Sequence, residues 1–241
     1  MKNTLQTHFK TLKSLTLFHA KIVFSNRFIY FLLSAVILFI LIVTISLLNP
    51  ESEFDQGDIY LVLLVPGLLL IFYPGTFGIQ NDLEVRMLEN IFGIPNYRYK
   101  VYLVRLIVSL LITMMILFIL SLISNLALLP YSVFYMMFQL MFPLLFVLSF
   151  SLMLSTLVKN GNAAAIILIL IGLVYFFGGE YFQESRWNLF HNPFLSFTDV
   201  NTLIWQETTF YNRLYMVIGT ILCILMAMYN LQKREAFIKR A

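Results

Sequence analysis

Cysteine is almost absent from the sequence: the 241 residues contain one, Cys223. A single cysteine excludes a disulfide framework and any zinc or iron–sulfur centre built on several cysteines. The three histidines, His8, His19 and His191, are scattered and show no metal-ligand spacing. We therefore predict that the chain holds no metal.

Charge is also scarce, because only 12% of the residues are charged and 60% are apolar. Ordinary soluble domains have about 25% charged and 45–50% apolar residues, so this composition excludes a cytosolic enzyme. Between the charged residues lie six uncharged runs, and the length of each is close to the roughly 20 apolar residues that a membrane-spanning helix needs. These predicted spans are 28–48, 59–79, 106–129, 133–158, 163–179 and 214–231.

The third and fourth runs form one uncharged stretch, which we divide at Pro130 because proline favours a helix break. The fifth run is the shortest. The predicted fold is an all-α membrane protein, with residues 1–241 forming a single transmembrane domain of six helices.

The basic residues are unevenly distributed between the loops. Fourteen of the 16 Lys and Arg residues lie in segments that six spans place on one side. These segments are 1–27, the link between spans 2 and 3, Lys159 and the tail 232–241. Cytoplasmic loops are enriched in Lys and Arg, so we predict a multi-pass protein of the cell membrane with both termini in the cytoplasm. The net charge of +4 then reflects topology, and we predict contact with membrane lipid and no nucleic-acid partner.

The N-terminal segment 1–27 contains an amphipathic pattern. Apolar residues recur at three- and four-residue steps within 4–24, while Lys10, Lys13 and Lys21 lie off that stripe. The pattern predicts an interfacial elbow helix on the cytoplasmic side. This helix either anchors the first span or carries force from a partner into it.

The segment between spans 2 and 3 predicts a second amphipathic helix, at 81–93. Asn81 and Glu84 have the spacing of a capping box, and Gly93 followed by Pro95 favours a helix end. The residues of one face are apolar: Leu83, Met87, Leu88 and Ile91. Such a helix is suited to being bound by another protein. The alternative is a charged face that only keeps the loop in water.

The segment 180–213 is too polar to span a membrane and rich in aromatic residues. Aromatic residues among acids beside a membrane predict short external helices at the outer interface. They either cap a pathway or form an aromatic belt without a gating role.

The segment between spans 2 and 3 also carries a family resemblance. Glu84, Leu88-Glu89, Pro95 and the later basic residue Arg105 resemble the pattern E-x-G-T-L-E-x-L-L-x-x-P followed by G-K. That pattern belongs to permease subunits of type-2 ATP-binding-cassette (ABC) exporters, although Arg86-Met87 stand where Gly-Thr is usual and Val104 where Gly often precedes the basic residue. The resemblance implies that 81–93 is the coupling helix that docks on an ATPase subunit. The implied coupling residues are Leu83, Glu84, Arg86, Met87, Leu88, Glu89, Pro95 and Arg105.

The chain lacks an energy source of its own. The six predicted spans contain no Asp, Glu, His, Lys or Arg, which disfavours proton coupling. None of the ten glycines precedes a lysine, so there is no phosphate-binding loop. No nucleophile, base and orienting group stand together at membrane depth. We therefore predict no catalytic residue and no bound cofactor, and the economical interpretation is a passive subunit moved by a separate ATPase.

Span 2 is predicted to move or to line a pathway. Its two Pro-Gly pairs predict a kink or local unwinding, which a membrane helix tolerates only away from lipid, so span 2 should lie inside the bundle. The resemblance implies that spans 2 and 5 of two permease copies line the pathway. The pathway or hinge candidates are Pro66, Gly67, Tyr73, Pro74, Gly75, Gly172, Gly178 and Gly179. Alternatively, the small residues serve ordinary packing within one subunit.

Together these features predict the transmembrane permease subunit of an ATP-driven ABC exporter. It would form the pathway as a dimer with a second copy or a paralogue, and the partner ATPase would bind ATP and Mg²⁺. The lack of charged pathway residues favours amphipathic or lipid-like cargo. The alternative function is a non-transporting membrane scaffold in a secretion or motility complex, and an intramembrane enzyme is a weaker third.

Overall fold

The computed structural model describes residues 28–48, 55–84, 97–178, 185–195 and 202–232. Within these ranges the fold is all-helical and contains no strand, which confirms the predicted class. The helices are α1 (Phe28–Leu48), α2 (Gln56–Glu84), α3 (Val104–Ala127), α4 (Val133–Val158), α5 (Gly161–Phe177) and α6 (Thr202–Asn230), with a π-helical segment, Arg98–Leu103, leading into α3.

Five of these helices, all except α5, are long and apolar enough to cross a membrane. This is the pattern of a multi-pass α-helical membrane protein. Helix α5 has 17 residues, or about 25 Å at 1.5 Å per residue. It is shorter than the roughly 30 Å of a hydrocarbon core.

The local sequence explains where several helices begin and end. Asp55 and Asp58 form reciprocal bonds at the start of α2: the Asp58 N–H donates to Asp55 Oδ1 at 2.9 Å, and the Asp55 N–H to Asp58 Oδ2 at 3.1 Å. Helix α4 ends at Val158, and the residue that caps it, Lys159, has a left-handed φ of 57°. Asn160 then caps α5, because its Oδ1 accepts a bond from the Ala163 N–H at 3.1 Å.

The predicted break near Pro130 is confirmed, since α3 ends at Ala127 and α4 begins at Val133. The turn is held by polar groups of α3. Asn125 Nδ2 donates to the Tyr131 carbonyl at 2.7 Å, and the Tyr131 hydroxyl donates to the Ser121 carbonyl at 2.8 Å.

Helices α2, α4 and α6 run in the same direction, because residues near their ends meet in the Ser155–Thr76 and Asn230–Thr156 hydrogen bonds, and α4 packs against both of the others. Two glycines let these backbones approach closely. A Cβ on Gly75 of α2 would lie 2.7 Å from the Ser151 Cβ of α4, and one on Gly219 of α6 would lie 2.6 Å from the Phe146 ring. Helices α1, α3 and α5 run the opposite way and flank this central row.

Helix α2 lies in the interior, as predicted. Its most apolar 18-residue window is 72% buried, against 17% for α1. The helix is continuous through Pro66 and Pro74, so the predicted local unwinding does not occur. A Cβ on Gly67 would lie 2.9 Å from Leu117 of α3. Gly67 and Gly75 of α2 therefore lie at close contacts with neighbouring helices of the subunit.

Helix α2 also continues beyond its predicted end, to Glu84. Asn81 is consequently inside the helix and is not the predicted N-cap. Its Nδ2 donates to the Tyr73 hydroxyl two turns earlier, at 2.7 Å. The predicted elbow helix in 1–27, residues 85–93 of the predicted coupling helix and the tail beyond Gln232 lie outside the described residues.

Helix α6 begins before its predicted start, at Thr202, and this corrects the predicted external segment 180–213. Residues 202–213 extend the sixth helix because Trp205, Thr208 and Asn212 recur at helical spacing and are buried against the bundle. The described part of the remaining segment, 185–195, consists of turns and contains no short helix.

Candidate functional site

Two buried arginines lie near opposite ends of α2 and form the most polar contacts inside the bundle. Arg105 binds Asp82 near the end of α2, and Arg213 binds Tyr60 near its beginning. Tyr60 and Asp82 are 22 residues apart in one helix, or about 33 Å. We call these clusters the Arg105 site and the Arg213 site.

The Arg105 site is a bidentate ion pair. Arg105 Nη1 donates to Asp82 Oδ2 at 2.8 Å and Nη2 donates to Asp82 Oδ1 at 3.0 Å. Nη1 also donates to the Gly78 carbonyl at 3.0 Å. The two side chains are only 7% and 4% exposed. A buried, planar arginine–carboxylate pair fixes both distance and orientation, so it holds the end of α2 against the start of α3.

Further hydrogen bonds tie the same end of α2 to other helices. Ser155 Oγ of α4 donates to the Thr76 carbonyl at 2.9 Å, and the Gly161 N–H of α5 donates to Gln80 Oε1 at 2.7 Å. The last turns of α2 are thus bonded to α3, α4 and α5.

Some of the predicted coupling residues belong to the described part of the chain, and others lie outside it. Leu83 and Glu84 are the last residues of α2. Arg86, Met87, Leu88, Glu89 and Pro95 lie outside the described residues. Arg105 is buried in its ion pair, so the side chain that the pattern assigned to ATPase contact points into the bundle instead.

The pathway candidates on α2 and α5 have different surroundings. Tyr73 is buried among the rings of Phe28, Phe31 and Phe77. Gly172 has no atom within 4 Å of a built Cβ and lines an apolar cavity of about 490 Å³ between α2, α4, α5 and α6. Pro66, Gly67, Pro74 and Gly75 lie within α2, Gly178 bonds to Val174 at the end of α5, and Gly179 lies outside the described residues.

The Arg213 site brings together α2, α4, α6 and the 185–195 segment around a guanidinium that is 6% exposed. Arg213 Nε donates to Gln139 Oε1 and Nη1 to Asn212 Oδ1, both at 3.0 Å. Nη2 donates to the Tyr60 hydroxyl at 3.4 Å and to the His191 carbonyl at 3.3 Å. All of these acceptors are neutral.

A second cavity, of about 520 Å³, lies beside Arg213 between α4, α6 and Pro193. Gln139 and Arg213 line it, and its walls include Phe138, Phe142 and Val217. A volume of a few hundred cubic ångströms is typical of sites for small molecules. We call it the Arg213 cavity.

His191 covers the Arg213 site from the 185–195 segment. Its ring Nε2 lies 2.8 Å from Thr209 Oγ1, and that hydroxyl donates its proton to the Trp205 carbonyl. His191 Nε2 must therefore carry the hydrogen in this bond. Burial, and secondly the charge of Arg213, lower the pKa of His191 to about 4. The imidazole is thus neutral at physiological pH.

Sequence reasoning missed Asp82 and Arg213 as site residues. Both border uncharged runs: the predicted second span ends before Asp82, and the predicted sixth span begins directly after Arg213. One signal was present: Arg213 is one of only two basic residues on the predicted outer side, where the distribution of charge disfavours them.

Within the described ranges, no group of three or more His, Cys, Asp or Glu side chains could hold a metal ion. Comparison with known proteins finds no family model, curated protein or solved structure that matches the chain.

Proposed function

We propose that the chain is the transmembrane permease subunit of a type-2 ABC exporter. It works as a dimer, with a second copy or a paralogue, and is powered by a separate ATPase subunit that binds ATP and Mg²⁺. The observation that carries this proposal is the buried ion pair between Asp82 and Arg105. Asp82 lies in the predicted coupling helix 81–93, and Arg105 is the basic residue that follows this helix in the resembling pattern.

The ion pair gives this segment a mechanical role. A push on the predicted coupling helix 81–93 reaches α2 and α3 together, because the bidentate pair resists separation of Asp82 from Arg105. The end of α2 is also bonded to α4 and α5. The motion therefore reaches four helices of the bundle, including α2, which lines the 490 Å³ cavity together with α5.

The positions of charge support a motor outside the membrane. In the described helices α1 to α5, the ionisable acids and bases lie in the first or last turn, and in α6 they are Glu207 and Arg213, with none from Leu214 to Asn230. Ion-coupled carriers need an ionisable or ion-coordinating group near the membrane centre. A subunit without such a group depends on energy that a separate motor delivers at one end of its helices.

The test reverses the charge of the predicted docking face. The tagged chain is purified from membranes of its native host, and the ATPase that co-purifies is identified by its Walker A motif. Glu84→Lys combined with Glu89→Lys should abolish ATPase retention, or stimulation of ATP hydrolysis, while the protein stays in the membrane. Glu180→Lys combined with Glu184→Lys, on the predicted opposite side, is the matched control and should retain both.

Normal retention and stimulation with the Glu84→Lys, Glu89→Lys variant would reject the coupling assignment. If no ATPase co-purifies even with the wild-type chain, the result favours the non-transporting scaffold.

A further inference from the structure

The charge of Arg213 is not compensated within the described part of the chain. Its hydrogen-bond acceptors are the side chains of Gln139, Asn212, Tyr60 and Met216 and the His191 carbonyl, and none is ionised. The two ion pairs among the described residues are Arg105–Asp82 and Arg186–Glu207. Arg213 therefore differs from both other arginines whose side chains are described.

The hydrogen bonds explain the position of the guanidinium but leave its charge unbalanced. Arginine does not deprotonate in proteins, so Arg213 cannot become neutral on burial. A buried charge without a counter-charge is strongly unfavourable. An anion beside it would remove that cost.

The Arg213 cavity has space for such an anion next to the charge. Gln139 and Arg213 line it together. Gln139 Oε1 accepts the Arg213 Nε bond, and its Nε2 makes no hydrogen bond within the described residues. The amide N–H groups of Gln139 thus offer donors on this wall, and the guanidinium, whose five N–H groups already have acceptors, offers positive charge.

Most of the remaining lining is apolar or aromatic, with Gln206 and Thr209 as polar exceptions, and apolar residues extend to the surface of the bundle. Phe138 is 52% exposed, Leu214 42% and Val217 39%, and all three line the cavity. The uncharged run of α6 begins at Leu214, directly after Arg213. Arg213 consequently lies where the hydrocarbon region of the helix starts, at the depth of lipid headgroups.

We propose that the Arg213 cavity binds an anionic phospholipid, with a phosphate oxygen at Arg213 and Gln139 and an acyl chain along Phe138, Leu214 and Val217. A phosphate oxygen there would accept a hydrogen bond from Gln139 Nε2 and balance the charge of Arg213, as anionic headgroups do in basic pockets between membrane helices. A free phosphate ion would satisfy Arg213 but leave the apolar walls uncovered. The inference goes beyond the proposed function and does not depend on an ATPase.

Native mass spectrometry of the full-length chain in detergent tests the proposal. With phosphatidylglycerol or phosphatidylcholine added at equal concentration, the wild type should retain one phosphatidylglycerol at collision energies that remove phosphatidylcholine. Arg213→Gln should lower this retained fraction at least tenfold. Arg186→Gln is the matched control: Arg186 is about half exposed and paired with Glu207, so the variant should bind lipid like the wild type.

A second variant keeps the charge and fills the space. Val217→Phe should narrow the cavity and lower phosphatidylglycerol retention even if Arg213→Gln fails to fold. Equal retention of both lipids by the wild type, or full retention by both site variants, would overturn the proposal. Thermal stabilisation by inorganic phosphate equal to that by phosphatidylglycerol would point to a small-anion site. A dimer that is lost in Arg213→Gln would point to a counter-charge from a second copy, and either result rejects the lipid.

Discussion

The Arg105 site and the Arg213 site each bury a guanidinium group, but they differ in how its charge is balanced. Arg105 meets a carboxylate at 2.8 and 3.0 Å, whereas Arg213 meets only neutral acceptors and lies beside a cavity of about 520 Å³. The first site is closed and joins helices firmly. The second is open and retains unbalanced charge. We infer that the Arg105 end is built to transmit force and the Arg213 end to bind a ligand.

Removing the carboxylate of the Arg105 site should have the largest effect. Asp82→Asn leaves the buried Arg105 without a counter-charge and should destabilise the protein by about 3–5 kcal/mol. A lower midpoint of thermal unfolding in detergent would measure this loss. Adding Arg105→Gln to Asp82→Asn should recover much of the stability, because it removes the unpaired charge.

The exposed ion pair at the other end gives the comparison for this prediction. Arg186 Nη2 lies 3.6 Å from Glu207 Oε1, with side chains 49% and 58% exposed. Glu207→Gln should change stability by about 0–1 kcal/mol, as for other solvent-exposed pairs. An Asp82→Asn variant no less stable than Glu207→Gln would show that the Arg105 site does not anchor the helices.

Substitutions at Gly75 of α2 and Gly172 of α5 compare a closely packed position with an open one. Gly75→Ala would place a Cβ 2.7 Å from the Ser151 Cβ of a neighbouring helix and should cost about 1–3 kcal/mol. Gly172→Ala meets no atom within 4 Å and should stabilise α5 by up to about 1 kcal/mol. Thermal unfolding of both variants measures the contrast. Equal losses of stability would mean that another group packs against α5 at Gly172, where the structure has no neighbouring atom within 4 Å.

The Arg213 site should also give the protein a pH dependence through His191. The pKa of His191 is about 4 in the folded protein because of burial and the nearby Arg213, against about 6.5 in an unfolded chain. The unfolded chain therefore binds more protons between these values, so stability is full above pH 6.5 and falls as the pH drops toward 4. Between pH 7 and 5.5 the loss from this group should be about 1 kcal/mol.

Thermal unfolding of the wild type and His191→Gln across this pH range measures the dependence. The unfolding midpoint of His191→Gln should depend less steeply on pH than that of the wild type. An unchanged slope would show that another group is responsible.

The helices were predictable from the sequence because they follow from the gaps between charges. The break at Pro130 and the interior position of α2 follow from proline chemistry and were correct. The predicted end of α2 and the predicted start of α6 were wrong. From the sequence alone, Asn81 resembles a helix cap and Trp205 resembles an interface residue, but their tertiary contacts place both inside helices.

The burial of the two arginines could not be predicted in this way. A span drawn from uncharged residues ends at the first charge, so Asp82, Arg105 and Arg213 were counted as loop or boundary residues. Their burial depends on partners far away in sequence, such as Gln139 for Arg213 and Asp82 for Arg105. Hydropathy does not contain that information.

Site-directed cross-linking tests the central claim most directly, because it measures which end of the bundle meets the ATPase. In a Cys223→Ser background, Leu88→Cys introduces one thiol into the predicted coupling helix, and Trp187→Cys introduces one at the Arg213 end, where Trp187 is 67% exposed. We expect a short thiol-to-amine cross-linker to join the ATPase subunit to the chain from position 88 and not from position 187. Cross-linking from position 187 alone, or from neither position in the intact complex, would contradict this account.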